Sequence, residues 1–261
     1  MKFYKLSLCA LALCAVISCN DANEPTTDVK GGLVFDTRAE QSVELITRAA
    51  VSIAEVTGYT APSKNDFTFT VIDKYGDTAF NGKIADMTDG KVALDAGTYT
   101  VKASYDEGSM GSPIFAGEIA NVTINGGSDT AVVVPVTLQN TIVRIEFDEM
   151  FEAYYDWTDF TLTSNGGDKA LTYGAKQTTG MFVNNSTLTV KATLTSQAQG
   201  EDFTSKQYAF EKSFSDIKGG KCYTLKFSAS NVGQAGTIQI TFGTEIAEED
   251  MVDMPTEINP E

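Results

Sequence analysis

The sequence predicts an all-β protein with two antiparallel β-sandwich domains in tandem behind an export signal. Apolar and polar side chains alternate along many short segments, as they do in half-buried strands. Glycine-containing turn motifs such as NGK, TDGK and KGGK separate these segments. Helical patterns do not alternate with them, which argues against a parallel βαβ sheet. The clearest predicted strands are residues 67–73, 98–105, 129–138, 141–147, 186–194 and 237–242.

The amino terminus has the features of a bacterial lipoprotein signal. Two lysines precede an apolar run at residues 6–17, which is too short to span a bilayer permanently. The run ends in the letters VISC at residues 16–19, which resemble a lipobox, the motif whose cysteine becomes the lipidated first residue. We therefore predict a signal peptide at 1–18 and attachment to a membrane through lipid on Cys19.

Composition divides the rest of the chain. Residues 19–31 are polar and lack periodicity, as expected for a flexible tether. Strand patterns then predict an N-terminal sandwich at 32–139 and a C-terminal sandwich at 140–246. Residues 247–261 are acidic and contain two prolines, so we expect a tail that is a poor strand donor. Only residues 148–157 have the composition of a short helix.

Two segments carry nearly the same letters, AGTYTVKAS at 96–104 and GKCYTLKFS at 220–228. We interpret them as the same strand of a repeated domain. Their alternation predicts that Tyr99 and Tyr223 face the two cores. The same alternation places Cys222 on an outer face, at the start of its strand.

Charge and residue types exclude several functions. The chain has 19 Lys and Arg against 35 Asp and Glu, a net charge of −16, so nucleic-acid binding is not expected. It has no histidine, which removes histidine-based catalysis and metal sites. Carboxylate pairs remain a route to glycoside hydrolysis, but the acidic residues fall mostly in turns and in the tail. We expect no enzyme activity, no catalytic residues, no metal and no cofactor.

Cysteine usage gives a further expectation. Two of the four cysteines leave with the signal and Cys19 carries lipid, so Cys222 has no partner for an intramolecular disulfide. We read it as a small structural side chain, since no histidine can activate it as a nucleophile.

Aromatic and acidic residues concentrate in residues 146–160. Trp157, Tyr154, Tyr155, Asp156 and Asp159 form a candidate surface for a glycan, or for a cation if enough oxygens converge. The alternative is that these rings fill the end of the second sandwich. We favour core packing, because aromatic residues at 151, 154, 155 and 160 can share one buried face.

Several of these features together resemble the fimbrillin-like lipoproteins of Bacteroidota, most closely members labelled only as a domain of unknown function. The motifs are the lipobox, GGLVF at 31–35, TRA at 37–39, LDAGTYTVKASY at 94–105 and LQNTIVRIEF at 138–147. The resemblance implies two transthyretin-like, Ig-like β-sandwiches. It also implies an outer-membrane location, at the periplasmic face or the cell surface, and a role as a pilus subunit, pilus anchor or adhesin.

The resemblance further implies proteolytic processing in the first domain. In stalk-forming fimbrillins a protease cuts after an arginine and removes the first strand, and a strand of another subunit fills the groove. Arg38 and Arg48 both precede alanine and fit such a site, although arginine before alanine is common in loops. The acidic tail departs from a donor strand, which favours an anchor, cap or accessory protein over a stalk subunit.

The expected partners are therefore the membrane, other fimbrillin-like subunits and surface glycans. Adhesion or pilus assembly is the leading function. The alternative is a glycan-binding outer-membrane lipoprotein that serves a nutrient-uptake system.

Overall fold

A computed structural model describes residues 29–45, 50–108, 111–164, 169–197, 205–230, 237–242 and 245–250. Strands dominate these residues, and the all-β prediction is confirmed. The six strands predicted most clearly all appear within one or two residues of their expected bounds. The short helix expected in residues 148–157 is also present.

The N-terminal half contains nine strands, one α-helix and two short 3₁₀ turns at Lys64–Asp66 and Ile84–Asp86. The strands and the helix are β1 (Gly31–Ala39), β2 (Ser42–Leu45), β3 (Ala50–Ser52), α1 (Ile53–Thr57), β4 (Thr68–Asp73), β5 (Thr78–Gly82), β6 (Lys91–Leu94), β7 (Gly97–Asp106), β8 (Ile114–Ile124) and β9 (Asp129–Leu138).

The C-terminal half contains ten strands and one α-helix. They are β10 (Thr141–Phe147), α2 (Glu149–Tyr154), β11 (Tyr155–Trp157), β12 (Phe160–Ser164), β13 (Ala170–Tyr173), β14 (Met181–Val183), β15 (Ser186–Ser196), β16 (Gln207–Ile217), β17 (Lys221–Ser230), β18 (Thr237–Phe242) and β19 (Glu245–Asp250).

The strands of the N-terminal half follow the order β5-β4-β7-β8-β9-β1-β6. In the C-terminal half one sheet has the order β14-β10-β17-β18-β19, and β2 joins it by pairing with the start of β17. A second sheet has the order β11-β15-β12-β13, with β16 beside β15. Most neighbouring strands pair antiparallel, as predicted, and the parallel pairs among the described strands are β1 with β9, β10 with β17 and β2 with β17.

The two halves repeat one topology. The strands β6-β1-β9 correspond to β14-β10-β17, and β5-β4-β7-β8 correspond to β13-β12-β15-β16. In each half the first strand has an antiparallel neighbour on one side and a parallel, late strand on the other. The chain is therefore a tandem repeat at the level of strand pairing.

This topology corrects the interpretation of the repeated letters. The strand equivalent to β7 is β15, not β17, and TYTVKAS at 98–104 aligns with TLTVKAT at 187–193. Lys102 pairs with Glu118 at 3.5 Å, and its equivalent Lys191 pairs with Glu211 at 2.9 Å. The letters shared by β7 and β17 reflect only the alternation that any half-buried strand needs.

Two clusters of buried apolar side chains fill the halves. The first is built mainly from residues 33–138 and the second from residues 143–242. Tyr99 and Tyr223 each keep only 8% of their surface exposed, which confirms that they face inward. The Tyr99 hydroxyl donates to the carbonyl oxygen of Asp95 at 2.9 Å, and the Tyr223 hydroxyl accepts from the Lys218 amide at 3.1 Å. The domain boundary predicted at Gln139 and Asn140 stays a prediction.

The start of the acidic tail is a strand. β19 pairs antiparallel with β18, from Phe242 opposite Glu245 to Thr237 opposite Asp250. Residues 247–250 of the acidic tail thus pair within the chain's own sheet, and that the tail is a poor donor strand for another subunit stays a prediction. Backbone hydrogen bonding to an available sheet edge overrides the poor strand propensity of acidic side chains.

We predict that Tyr99→Ala and Tyr223→Ala each lower the free energy of unfolding by about 3–5 kcal/mol, since each removes a buried ring and its hydrogen bond. Denaturant unfolding of the full chain measures the loss. The control is Lys102→Ala, which removes only an exposed ion pair and should cost less than about 1 kcal/mol. Parent-like stability of both tyrosine variants would contradict the inward placement.

Candidate functional site

The predicted aromatic segment starts with helix α2. The Asp148 carboxylate accepts a hydrogen bond from the Phe151 amide at 2.7 Å, which caps the first turn. Glu149 and Glu152 lie in that turn, where negative charge suits the helix dipole. The helix thereby begins at a fixed residue and directs Phe151 into the second core.

Stacked rings hold α2 on the second sandwich. Phe151 is fully buried, and its centroid lies 5.0 Å from Tyr155, 5.3 Å from Phe227 and 5.4 Å from Phe147. Offset stacks at these spacings add to the free energy of burying the rings themselves. Core packing, the favoured interpretation of residues 146–160, therefore holds for Phe151, Tyr155 and Phe160, which are all buried.

Trp157 lies at the edge of this cluster and is only half-buried. Its ring stacks on Phe147 with 3.9 Å between centroids, and its indole N–H donates to the carbonyl oxygen of Ala175 at 2.8 Å. The Asp159 carboxylate accepts from the Ala175 amide at 2.8 Å. These two bonds tie residues 174–178, the loop after β13, to the aromatic segment.

The five residues predicted for a glycan or cation surface differ in their exposure to solvent. Tyr155 has no exposed surface, and burial raises the pKa of its hydroxyl to about 12. Its inclusion in a binding surface was wrong, because β11 turns its ring toward the core. Tyr154 is half-buried, and Asp156 and Asp159 are exposed. Within the described ranges, no three Cys, Asp or Glu side chains are grouped to hold a metal ion.

A groove of about 650 Å³ opens beside Trp157, and we call it the Trp157 groove. Its lining comes from Glu152 of α2, Trp157 of β11, the loop after β13 and strands β10 and β17. Its volume is within the range of small-molecule sites in proteins. The groove is lined by Ile145, Glu146, Phe147, Glu152, Trp157, Ala175, Lys176, Gln177, Thr178 and Lys226.

Both signs of charge lie in the Trp157 groove. Glu146 pairs with Arg144 at 3.0 Å, and the Arg144 Nε donates to the Thr224 hydroxyl at 2.8 Å. In the part of the chain that is described, the side-chain charges of Glu152, Lys176 and Lys226 have no ion-pair or hydrogen-bond partner. Sequence analysis missed both lysines, because they lie far from Trp157 in the chain and no local motif marks them.

Arg38, one of the two predicted processing sites, does not line this groove. Arg38 is exposed on β1, where it pairs in register with Pro135 of β9. Cys19 and Arg48 lie outside the described residues. Lipidation of Cys19 and cleavage at either arginine stay predictions.

Cys222 lies in the interior, so its predicted position on an outer face was wrong. Its exposure is 1%, and it packs in the first core cluster, which also takes Ile142 and Phe182 from the C-terminal half. At the start of β17, one face of the strand packs on the first core cluster through Cys222 and the other face packs on the second through Tyr223. Because both faces are buried there, the alternation of residues cannot identify an exposed face. Burial raises the pKa of the Cys222 thiol to about 11.

Comparison with known proteins places the chain among uncharacterised relatives. A family model described as a domain of unknown function, DUF4493, matches residues 30–258. No curated protein matches the chain. In the segments that the structure describes, no helix has the length and apolarity needed to cross a membrane.

Solved structures from Bacteroidetes show similarity to the chain. A fimbrial assembly protein from Parabacteroides distasonis has 10% identity and a TM-score of 0.43 over 84% of this chain and 98% of that one. A candidate cell adhesion protein from Bacteroides fragilis has 8% identity and a TM-score of 0.42 over 88% and 100%. A DUF1812 protein from Bacteroides thetaiotaomicron, described as a candidate polysaccharide-binding protein, has 15% identity and a TM-score of 0.39 over 86% and 99%.

We predict that Cys222 resists iodoacetamide at pH 8 in the folded chain. Its thiol is buried, and because its pKa is raised to about 11 it is protonated at this pH. Peptide mapping by mass spectrometry should find it modified only after unfolding in guanidinium. Because the folded pKa lies above the ordinary value of 9.0, the stability gained from the neutral thiol is present below pH 9 and is lost between about pH 9 and 11. Rapid modification of the folded chain would contradict the buried position.

Proposed function

Because the chain belongs to the DUF4493 family, whose model spans residues 30–258, we propose that it is a fimbrillin-like surface protein in adhesion or pilus assembly. Its resemblance to fimbrillin-like lipoproteins supports this role. We further propose that it is held in the outer membrane by lipid on Cys19, with its domains at the cell surface or the periplasmic face. Its place in an assembly is that of an anchor, cap or accessory protein.

The observation that carries the accessory role is that the chain's own strands complete both halves. β1 contributes Leu33 and Phe35 to the first core, with exposures of 0% and 2%. β18 contributes Ile240 and Phe242 to the second core, with exposures of 1% and 4%. Neither strand is spare in this arrangement, whereas a stalk subunit would have to remove one strand and donate another.

The alternative role, glycan binding for nutrient uptake, is favoured by the Trp157 groove. A concave groove that contains a half-buried tryptophan and charged groups without partners among the described residues is better suited to a sugar than a flat surface is. Both roles need export and anchoring, so tests of the anchor do not separate them.

We predict that Cys19→Ala moves the protein out of the membrane fraction, because lipid on Cys19 is the proposed attachment to the membrane. Detergent partitioning of cell fractions measures the change. Cys14→Ala is the matched control, since it changes a cysteine inside the predicted leader and should leave partitioning intact. Membrane retention of Cys19→Ala at the parental level would refute the lipid anchor.

We predict that the folded chain resists trypsin at Arg38, although the side chain is exposed. Cleavage needs a locally unfolded backbone, and β1 is paired with β9 from Gly32 to Ala39. Timed digestion with peptide mapping measures the order of cleavage, with the urea-unfolded chain as the control. Early cleavage after Arg38 or Arg48, followed by oligomerisation or capture of an added strand peptide, would instead support a stalk subunit.

A further inference from the structure

We propose that the Trp157 groove binds a neutral carbohydrate through Trp157, Glu152, Lys176 and Lys226. This inference deepens the alternative, glycan-binding role, on which it rests, by naming the class of sugar and the residues that contact it. Four separate elements, α2, β11, β17 and the loop after β13, bring these residues together.

The groove exists because β10 is longer than its neighbour. β14 pairs with β10 only from Thr141 to Val143, so on that side the following part of β10 has no strand partner among the described residues, while β17 pairs with its other side. The loop after β13 is held by hydrogen bonds to Trp157 and Asp159. A gap of about 650 Å³ remains between the strand edge, the loop and α2.

The tryptophan offers an apolar surface in a fixed orientation. Phe147 supports its ring from one side, and the bond to Ala175 fixes the indole N–H. The ring therefore contributes its surface to a ligand and not a hydrogen bond. The C–H faces of a sugar ring match such a surface, since they are apolar and the hydroxyl groups point sideways.

The charges favour hydroxyl groups over an ion. Glu152 accepts hydrogen bonds, Lys176 and Lys226 donate them, and none of the three is compensated by a partner among the described residues. A sugar hydroxyl both donates and accepts, so neighbouring hydroxyls satisfy groups of both signs with charge-assisted bonds. An anionic polymer gains from the two lysines but meets a chain of net charge −16.

An added peptide strand fits the groove less well. Strand addition needs free backbone groups on the open edge of β10. The Ile145 amide on β10 already donates a hydrogen bond to the Tyr173 hydroxyl oxygen at 3.2 Å. A side chain thus occupies part of the ladder that a peptide strand would use.

The single tryptophan of the chain gives a direct test, since all indole fluorescence comes from the groove. The full-length chain, purified in detergent, is titrated with cellotriose, maltotriose, mannotriose and chitotriose. We expect a saturable change in Trp157 emission with at least one of these sugars. The absence of a saturable change with all four overturns the proposal, and so does a change produced by neutral peptides of similar size but not by sugars.

Variants assign the binding to the groove. Lys226→Ala and Glu152→Ala should each weaken sugar affinity about tenfold, the effect of losing one hydrogen bond to a charged group. Lys191→Ala is the matched control, because Lys191 is a strand lysine of the same half that pairs with Glu211 outside the groove. Parental affinity in both groove variants, with parental melting, overturns the assignment.

This result is independent of the anchoring test. Sugar binding by the purified chain supports the carbohydrate site, and loss of Cys19→Ala from the membrane fraction supports the lipid anchor. Loss of surface adhesion in Cys19→Ala without any sugar binding leaves the proposed function standing and removes the carbohydrate site.

Discussion

Each half of the molecule depends on one long-range parallel pairing, between its first strand and a strand near its end. β1 pairs with β9 over Gly32–Ala39, and β10 pairs with β17 over Ile142–Phe147. The β1–β9 pairing closes a loop of about 100 residues and the β10–β17 pairing one of about 80, which costs more chain entropy than closing a local hairpin does. They also bury the first strand between two neighbours, so its apolar side chains reach the centre of the core.

The same arrangement joins the two halves. The start of the second half sends Ile142, Phe182 and Cys222 into the first core cluster. Buried Asn140 bonds to the backbone just before and at the start of β8, accepting from the Ile114 amide at 3.1 Å and donating to the Ser112 carbonyl oxygen at 2.8 Å. A buried amide with its partners satisfied fixes local geometry more strongly than an exposed linker would. The junction is therefore part of the interior, where sequence analysis expected only a boundary between domains.

The Trp157 groove follows from these packing constraints. Because β14 is short, the end of β10 lacks a strand partner on that side among the described residues, and residues of α2, β11 and the loop after β13 line the groove there. The aromatic cluster stabilises the fold through Phe151 and Tyr155, while Trp157 remains partly accessible at its edge. One segment thus contributes to both the core and the candidate site.

The sequence by itself determined the all-β class, most strand positions, the helix after β10 and the inward faces of Tyr99 and Tyr223. These features follow from periodicity and turn chemistry, which are local. Only the tertiary structure decided that β7 is topologically equivalent to β15 and that Cys222 is buried. It also decided that Tyr155 is unavailable to a ligand, and that Lys176 and Lys226 line the same groove as Trp157. Alternation assigns a residue to one of two faces, but pairing partners and the covering of each face depend on contacts between residues far apart in the chain. The fold class was therefore predictable, whereas the candidate site was predictable only as far as Trp157 and its acidic neighbours.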